Sequence, residues 1–467
     1  MSDDLCFASL SALAAQIAAR RVSAVEVTRA VLARIERVGG ALNCYITVNA
    51  EQALAQARAL DALHAAGTSL GPLHGVPIAL KDNIQTAGLR TTVGSEIYAD
   101  WVPDADATVA ARLRSAGAIL IGKNNLYEFA FGAPHPRYGP VHNPWDTARS
   151  CAGSSSGSGS AVAAGLAYGA LGTDTGGSVR LPAAYCGVVG LKPTYGRVSR
   201  AGVVPVSYNL DHVGPLTRGV RDAALVLAAI AGPDPADRTT SAAPLADYTA
   251  GLERGVRGLR LGVARRQADE RMDRAVEEAA EQASRVLERA GAQLHAVDLP
   301  SYQHARAIMW GVSAVEGAEW HREHLRTRAA DYHPVVRTNF EVGDFVPAVE
   351  YVHMQRVRQV MIDQMSALLR EVDAILMPTT ATPAHPIGAA TVSVAGEAEP
   401  VLAALTRYTP LANVTGQPAV AVPCGFTDTG LPLSFQLLGR PFDEATVLRV
   451  ARAYERETAW AARRPPL

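Results

Sequence analysis

Two short segments rich in glycine and serine carry the side chains best suited to chemistry in this chain. The first spans residues 151–160 (CAGSSSGSGS), and the second spans residues 172–180 (GTDTGGSVR), with a run of small residues between them. Such residues contribute little to a hydrophobic core, whereas they allow backbone N–H groups and hydroxyls to approach a ligand closely. The two segments therefore predict a site at which N–H groups and serine hydroxyls surround a ligand.

The spacing of these segments resembles that of the amidase signature family, serine hydrolases that cleave amide bonds with a Ser–Ser–Lys triad. The resemblance implies that Ser178 is the nucleophile and that Ser154, 24 positions earlier, is a bridging serine on a cis peptide. It places the third member at Lys81, within residues 75–83 (GVPIALKDN). Further matching blocks lie at 122–132, 187–194 and 413–418. One departure is Ala152, where the family has glycine, and it matters only if that residue needs a positive φ.

The chemistry of a serine nucleophile explains why a lysine is needed. A serine hydroxyl is a poor nucleophile at neutral pH and requires a base. Neutral lysine can be that base where burial lowers its pKa, and Lys81 ends an apolar segment that reads as a strand. Ser154 would then relay the proton between Ser178 and Lys81, and the same relay would return it to the leaving amine.

The remaining site residues surround the two serines. Consecutive N–H groups in a glycine turn suit the oxyanion of a tetrahedral intermediate, and in the family this turn is the oxyanion hole. The corresponding residues here are Thr175, Gly176 and Gly177. By resemblance, Ala130 and Phe131, together with Gly132, line the acyl pocket. Asp174 and Arg180 flank the nucleophile and are predicted to form an ion pair that stiffens the loop.

The pattern of elements that must position this site predicts an α/β fold. Residues 9–64 are helix-rich, and residues 70–232 alternate β-branched segments with small-residue helices. This alternation predicts a largely parallel sheet with helices on both faces. The resemblance implies the amidase signature fold, with a mixed, mostly parallel sheet. Further strands are expected at 258–263, 374–378, 419–422 and 433–438, and helices at 273–290 and across 301–370. We interpret 1–467 as one domain, made of segments 1–65, 70–232, 233–370 and 371–467.

The net charge and the cysteine content indicate which partners and which cellular compartment to expect. The 467 residues carry a net charge of −1, which predicts neither nucleic-acid nor membrane binding. Five scattered cysteines without a Cys-x-x-Cys pair read as reduced thiols of a cytoplasmic protein. We expect no metal and no cofactor, and the composition leaves a homodimer open.

Two functions share this triad. The first is a stand-alone amidohydrolase that cleaves an amide, anilide or carbamate (urethane) as a small-molecule substrate through an acyl-enzyme on Ser178. The alternative is the glutaminase (A-type) subunit of a tRNA-dependent amidotransferase. Such subunits tend to carry an acidic residue where this chain has Arg407 and Tyr408, so the sequence favours the stand-alone enzyme. A G-x-S-x-G match centred on Ser155 lacks the upstream apolar strand of a nucleophile elbow and is rejected.

Overall fold

A computed structural model describes residues 3–266 and 270–467. The α-helices in these ranges are α1 (Asp3–Phe7), α2 (Leu10–Ala18), α3 (Ala24–Leu42), α4 (Ala50–Ala65), α5 (Thr108–Ser115), α6 (Ser156–Ala163), α7 (Arg180–Cys186), α8 (Val220–Ile230), α9 (Arg274–Arg289), α10 (Ala305–Arg328), α11 (Pro334–Glu341), α12 (Ala348–Glu371), α13 (Val401–Leu405), α14 (Pro410–Val414) and α15 (Glu444–Arg456). The strands are β1 (Tyr45–Val48), β2 (Pro77–Lys81), β3 (Ile119–Asn124), β4 (His142–Asn143), β5 (Asp146–Ser150), β6 (Gly169–Asp174), β7 (Val189–Lys192), β8 (His212–Thr217), β9 (Arg260–Ala264), β10 (Gln293–Val297), β11 (Ala374–Pro378), β12 (Thr391–Val394), β13 (Glu397–Pro400), β14 (Ala419–Phe426) and β15 (Pro432–Gly439).

One large mixed sheet runs through the molecule in the order β1-β3-β2-β6-β8-β7-β14-β15-β11-β9-β10. Parallel pairing forms two blocks, β3-β2-β6 and β11-β9-β10. The strands between the blocks pair antiparallel with their neighbours, and so does the edge strand β1. The predicted α/β class with a mixed sheet is confirmed, and its parallel character is confined to these two blocks.

The central strands are buried along their whole length, as the residues of β2, β3, β6 and β8 illustrate. Burial of consecutive residues means that both faces of the sheet are covered, since successive side chains point to opposite faces. The hydrophobic core reaches from Cys6 to Tyr454 and includes side chains from both parallel blocks. The division into four segments of one domain stays a prediction.

Most of the predicted elements are present. Ser23 and Glu26 form a capping box at the start of α3, in which each side chain accepts from the other residue's backbone N–H. The helix expected at 273–290 is α9, and the region 301–370 contains α10, α11 and α12. The hairpin of β12 and β13 is not among the predicted elements: β12 alternates valine with polar residues over only four positions, and β13 is mostly exposed. None of the helices in the described ranges is long and apolar enough to cross a bilayer.

Candidate active site

Lys81 is the last residue of β2, and its side chain is completely buried. Because β2 and β6 are parallel neighbours, their carboxyl ends meet at one edge of the sheet, where Lys81 reaches Thr173. The Lys81 Nζ donates to Thr173 Oγ1 at 2.7 Å and to Ser154 Oγ at 2.7 Å. The structure thus joins two members of the predicted triad directly, and adds a threonine that the sequence did not single out.

Burial gives Lys81 the character of a base. Loss of hydration disfavours the ammonium form and lowers the pKa of Lys81 to about 7, while the negative charges of Asp211 and Asp174 oppose that shift. A lysine with this pKa is partly neutral at neutral pH and can accept a proton.

Ser154 lies in the first glycine-serine segment, just before α6. The Gly153–Ser154 peptide bond is cis, as the resemblance implies. The Ser154 carbonyl accepts from the Tyr127 N–H at 3.2 Å, which ties the segment to the turn after β3. Ala152 has a φ of +56°, so the position where the family has glycine does require the left-handed region. This chain accommodates alanine there.

Ser178 lies in the turn between β6 and α7, on the wall of the same small pocket as Ser154. The Ser155 N–H donates to the Ser178 carbonyl at 3.3 Å and holds the two segments together. Ser155 itself is fully buried, and its hydroxyl donates to the Thr173 carbonyl at 3.1 Å. Ser155 is therefore occupied in joining the segments, which agrees with the rejection of the nucleophile elbow.

A buried carboxylate frames the turn that carries Ser178. Asp174 forms the predicted ion pair with Arg180 at 3.1 Å, and the Asn413 amide donates to its Oδ1 at 2.8 Å. The same carboxylate accepts from the backbone N–H of Gly177 at 2.7 Å and of Val179 at 3.1 Å. The Gly177 N–H, one of the predicted oxyanion donors, thus donates to Asp174 in this structure. The assignment of Thr175, Gly176 and Gly177 to an oxyanion hole stays a prediction.

Gly177 is required at its position by space and by conformation. Its φ is +130°, a region that other residues rarely adopt. A side chain would also collide with the hydroxyl of Thr409, which donates to the Gly176 carbonyl at 2.6 Å. The turn that presents Ser178 is therefore fixed by Asp174, which accepts from its N–H groups, and by Thr409, which donates to its Gly176 carbonyl.

The pocket beside Ser178 has a volume of about 60 Å³ and no charged side chain in its lining among the described residues. Ala130 and Phe131 line it together with Thr175 and Gly176, and α10 adds Met309 and Trp310. Their roles in binding an acyl group or an oxyanion stay predictions. The full lining is Tyr127, Ala130, Phe131, Gly132, Gly153, Ser154, Thr175, Gly176, Ser178, Leu181, Met309, Trp310, Leu402, Leu405 and Thr406. Across the described ranges, no group of three or more His, Cys, Asp or Glu is placed to hold a metal ion.

Activity is expected to rise with pH through the neutral range, with a midpoint near the Lys81 pKa of about 7. The sign follows because only the neutral amine accepts the proton of the nucleophile, and a rise in pH increases its fraction. The rate at which an activated acyl or fluorophosphonate probe labels Ser178 between pH 5 and 9 measures this. A rate independent of pH over that range contradicts the assignment of Lys81 as the base.

Known proteins of one family are similar to this chain over nearly its whole length. The model of the Amidase family matches residues 26–448. The A-type subunit of the glutamyl-tRNA(Gln) amidotransferase from Myxococcus xanthus is 43% identical over 97% of this chain and 98% of its own length. The structure of the corresponding subunit from Thermotoga maritima is 34% identical and covers 98% of this chain and 96% of its own, with a TM-score of 0.81. A third solved structure comes from a vestigial protein complex described as revealing the evolutionary origins of an s-triazine catabolic enzyme. It is 36% identical and covers 96% of this chain and 98% of its own, with a TM-score of 0.92.

The fold and the site define an enzyme that acts on amide C–N bonds, by hydrolysis or by amide transfer. The chain belongs to the amidase family, the amidase signature enzymes, as the resemblance predicted.

The prediction of a stand-alone amidohydrolase is wrong. Relatives at 40–43% identity over nearly the whole chain are named as A-type subunits of amidotransferases, which favours the alternative. The prediction rested on Arg407 and Tyr408 as replacements for an acidic residue. In the structure Arg407 is ion-paired with Glu399 of β13, and Tyr408 lies beside Glu270. Carboxylates from distant parts of the chain therefore lie beside Arg407 and Tyr408. The local sequence around these two residues does not indicate such contacts.

The expected partners, a small-molecule substrate without nucleic acid, are corrected by the same relatives, whose names identify subunits of a tRNA-dependent enzyme. A net charge near zero did not exclude such an assembly, because it describes this chain and says nothing about other subunits that contact tRNA.

Proposed function

We propose that this chain is the A-type subunit of a glutamyl-tRNA(Gln) amidotransferase and releases ammonia from the side-chain amide of glutamine. The observation that carries the proposal is the near full-length similarity to such subunits, 43% over 97% of this chain and 98% of the Myxococcus xanthus protein. The contact between Lys81 and Ser154 supports it, because this pair is half of the relay that amide cleavage needs and lies in the pocket that Ser178 also lines.

In the proposed reaction Ser178 Oγ attacks the amide carbon of glutamine while its proton passes to Ser154 and the Ser154 proton passes to Lys81 Nζ. The carbonyl oxygen becomes an oxyanion that N–H groups of the turn stabilise. Collapse of this intermediate breaks the C–N bond, and the relay returns the proton to the leaving nitrogen, so ammonia departs. Water then cleaves the ester on Ser178 by the same relay and releases glutamate.

A charged groove lies next to the uncharged catalytic pocket and suits the α-amino and α-carboxyl groups of glutamine. Helix α13 supplies Leu402 and Leu405 to the pocket and Ala403 to the groove. Helix α10 supplies Met309 to the pocket and Arg306, one turn earlier, to the groove. The groove has a volume of about 520 Å³, and its charged lining residues are Glu270, Arg271, Arg306, Glu399 and Arg407. Its cations and carboxylates could bind both ends of an amino acid, while the methylenes and amide enter the pocket.

The purified chain, combined with partner subunits from its own host, is expected to convert glutamine to glutamate and to amidate glutamyl-tRNA(Gln). The measurement follows the amide nitrogen of ¹⁵N-labelled glutamine into free ammonia and into the aminoacyl group of the tRNA. A matched control supplies ammonium chloride in place of glutamine, since the partner subunits should then amidate the tRNA without cleavage at Ser178.

Absence of both products from glutamine, with the ammonium control still active, contradicts the proposed donor. Release of ammonia without labelled tRNA would instead limit the chain to glutamine hydrolysis. Turnover of an aryl amide in the absence of partners, with glutamine inert, would contradict the amidotransferase proposal altogether.

A further inference from the structure

A second cavity, of about 420 Å³, reaches the buried surroundings of Lys81. Thr173, which accepts from Lys81 Nζ, lines this cavity together with Asp211. The reaction steps described above use neither of these residues. Asp211 is almost completely buried, at 7% exposure, so a specific set of contacts must hold its carboxylate.

Three donors fix the Asp211 carboxylate. Its Oδ1 accepts from the Thr175 hydroxyl at 2.6 Å, and its Oδ2 accepts from the backbone N–H groups of Val206 at 2.8 Å and Ser207 at 3.1 Å. Thr175 opens the glycine turn and lines the catalytic pocket. Asp211 therefore contacts a residue of the pocket wall and, at the same time, is one of the two carboxylates that act on Lys81.

The other carboxylate that acts on Lys81 is already occupied. Asp174 is paired with Arg180 at 3.1 Å, and the Asn413 amide donates to it at 2.8 Å. Burial lowers the pKa of the neighbouring Lys192 well below its usual value. Within the described ranges no arginine or lysine forms an ion pair with Asp211. The charge of Arg200 acts on it, but the Arg200 guanidinium forms its ion pair with Asp237 at 3.8 Å.

The neighbouring His212 and Glu316 do not form an ion pair with Asp211. Burial lowers the pKa of His212 well below its usual value, so this side chain is neutral in the working range. Glu316, on α10, is bonded to Ser207 and Asn209. Asp174 and Asp211 are the two carboxylates whose negative charge raises the pKa of Lys81. Within the described ranges, Asp174 is in an ion pair and Asp211 is not.

We propose that Asp211 is a positioning residue that holds the Thr175 hydroxyl at the pocket wall and balances the positive charge of Lys81 after proton transfer. The inference rests on the proposed role of Lys81 as the base. The proton that leaves Ser178 ends on Nζ by way of Ser154, and the resulting ammonium would otherwise be a buried charge without a free counter-ion. Burial raises the pKa of Asp211, whereas its hydrogen bonds with Thr175, Ser207 and Val206 lower it and so favour the carboxylate. In that form Asp211 stabilises the ammonium while Nζ keeps the proton.

The test measures the pH dependence of fluorophosphonate labelling of Ser178 in the full chain, with the adduct located by mass spectrometry. Asp211→Asn keeps the size of the side chain but removes its charge. Because a negative charge favours the ammonium form, its removal should move the midpoint of labelling to lower pH, by on the order of one unit. Asp237→Asn is the matched control, since it removes a carboxylate from the same cavity that is paired with Arg200. It should leave the midpoint unchanged.

A second variant separates the contact from the charge. Thr175→Val removes the hydroxyl that Asp211 binds and keeps both charges, so labelling should slow roughly tenfold with the midpoint unmoved. Circular dichroism reports whether Asp211→Asn folds. If it does not, the labelling rate of Thr175→Val still tests the contact between Asp211 and Thr175. A folded Asp211→Asn protein with the wild-type midpoint, or a Thr175→Val protein with the wild-type rate, overturns the inference. Labelling that persists in Lys81→Met with an unchanged pH profile would instead contradict the proposed base.

Discussion

Ser178→Ala is expected to abolish amide cleavage while leaving the fold intact. The loss should be roughly 10⁶-fold, because removal of a nucleophile leaves only binding and oxyanion stabilisation. The fold should survive because Ser178 is partly exposed to the pocket, and the turn is held by backbone contacts to Asp174. Ammonia release from glutamine and acid-quench detection of the acyl-enzyme measure the effect.

Ser155→Ala is the matched variant for this experiment. Ser155 is the neighbouring buried serine, and its hydroxyl bridges the N–H and carbonyl of Thr173. We expect it to lower stability while Ser178 still takes up an acyl group. Turnover retained by Ser178→Ala and lost by Ser155→Ala would assign the nucleophile to Ser155 and contradict the proposed mechanism.

Lys81→Met is expected to be nearly as severe, at about a 10⁴-fold loss, because both proton transfers run through Nζ. Methionine fits the apolar end of β2 but cannot accept a proton. Ser154→Ala should also be severe, and the losses should not add in Lys81→Met/Ser154→Ala, since residues of one relay act as a unit. Single-turnover rates of the two single variants and the double variant measure this. Additive losses would contradict a shared relay.

Lys123→Met controls for the removal of a buried lysine from the sheet. Lys123 lies on the neighbouring strand β3, is equally buried, and its Nζ is 3.3 Å from Asp82 Oδ1. Removing one partner of a buried ion pair is destabilising, so this variant should unfold at lower temperature. Its remaining activity should keep the wild-type pH midpoint, whereas loss of Lys81 should eliminate the pH-dependent rise.

The predicted triad does not distinguish a hydrolase from an amidotransferase subunit, because the resemblance implies the same three residues for both. The choice between the two functions depends on other parts of the chain. The sequence has no acidic residue at Arg407 or Tyr408, whereas the folded chain brings Glu399 to Arg407 from β13. A charged groove assembled from α10, β13 and the segment after α13 has no linear motif.

The positions of the triad could be predicted from the sequence by resemblance because each member lies in a short local motif. A glycine-serine turn, a strand that ends in lysine, and a glycine whose φ is +130° are properties of a few consecutive residues. The mixed sheet could likewise be predicted, since alternating β-branched segments and small-residue helices recur along 70–232. The capping box at Ser23 belongs to the same class of local signals.

Contacts between distant segments were decided only by the tertiary structure. Parallel pairing of β2 with β6 brings Thr173 to Lys81 across 92 residues, and the segment before β8 brings Asp211 to Thr175 across 36. The Asp174 carboxylate accepts from the Gly177 N–H, a contact that the sequence does not show. The local sequence determines which side chains lie in a glycine turn or at the end of a strand, because the backbone conformation of a short segment depends mainly on its own residues. The proton affinity of Lys81 depends on burial and on charges from other strands, so it exists only once the chain is folded.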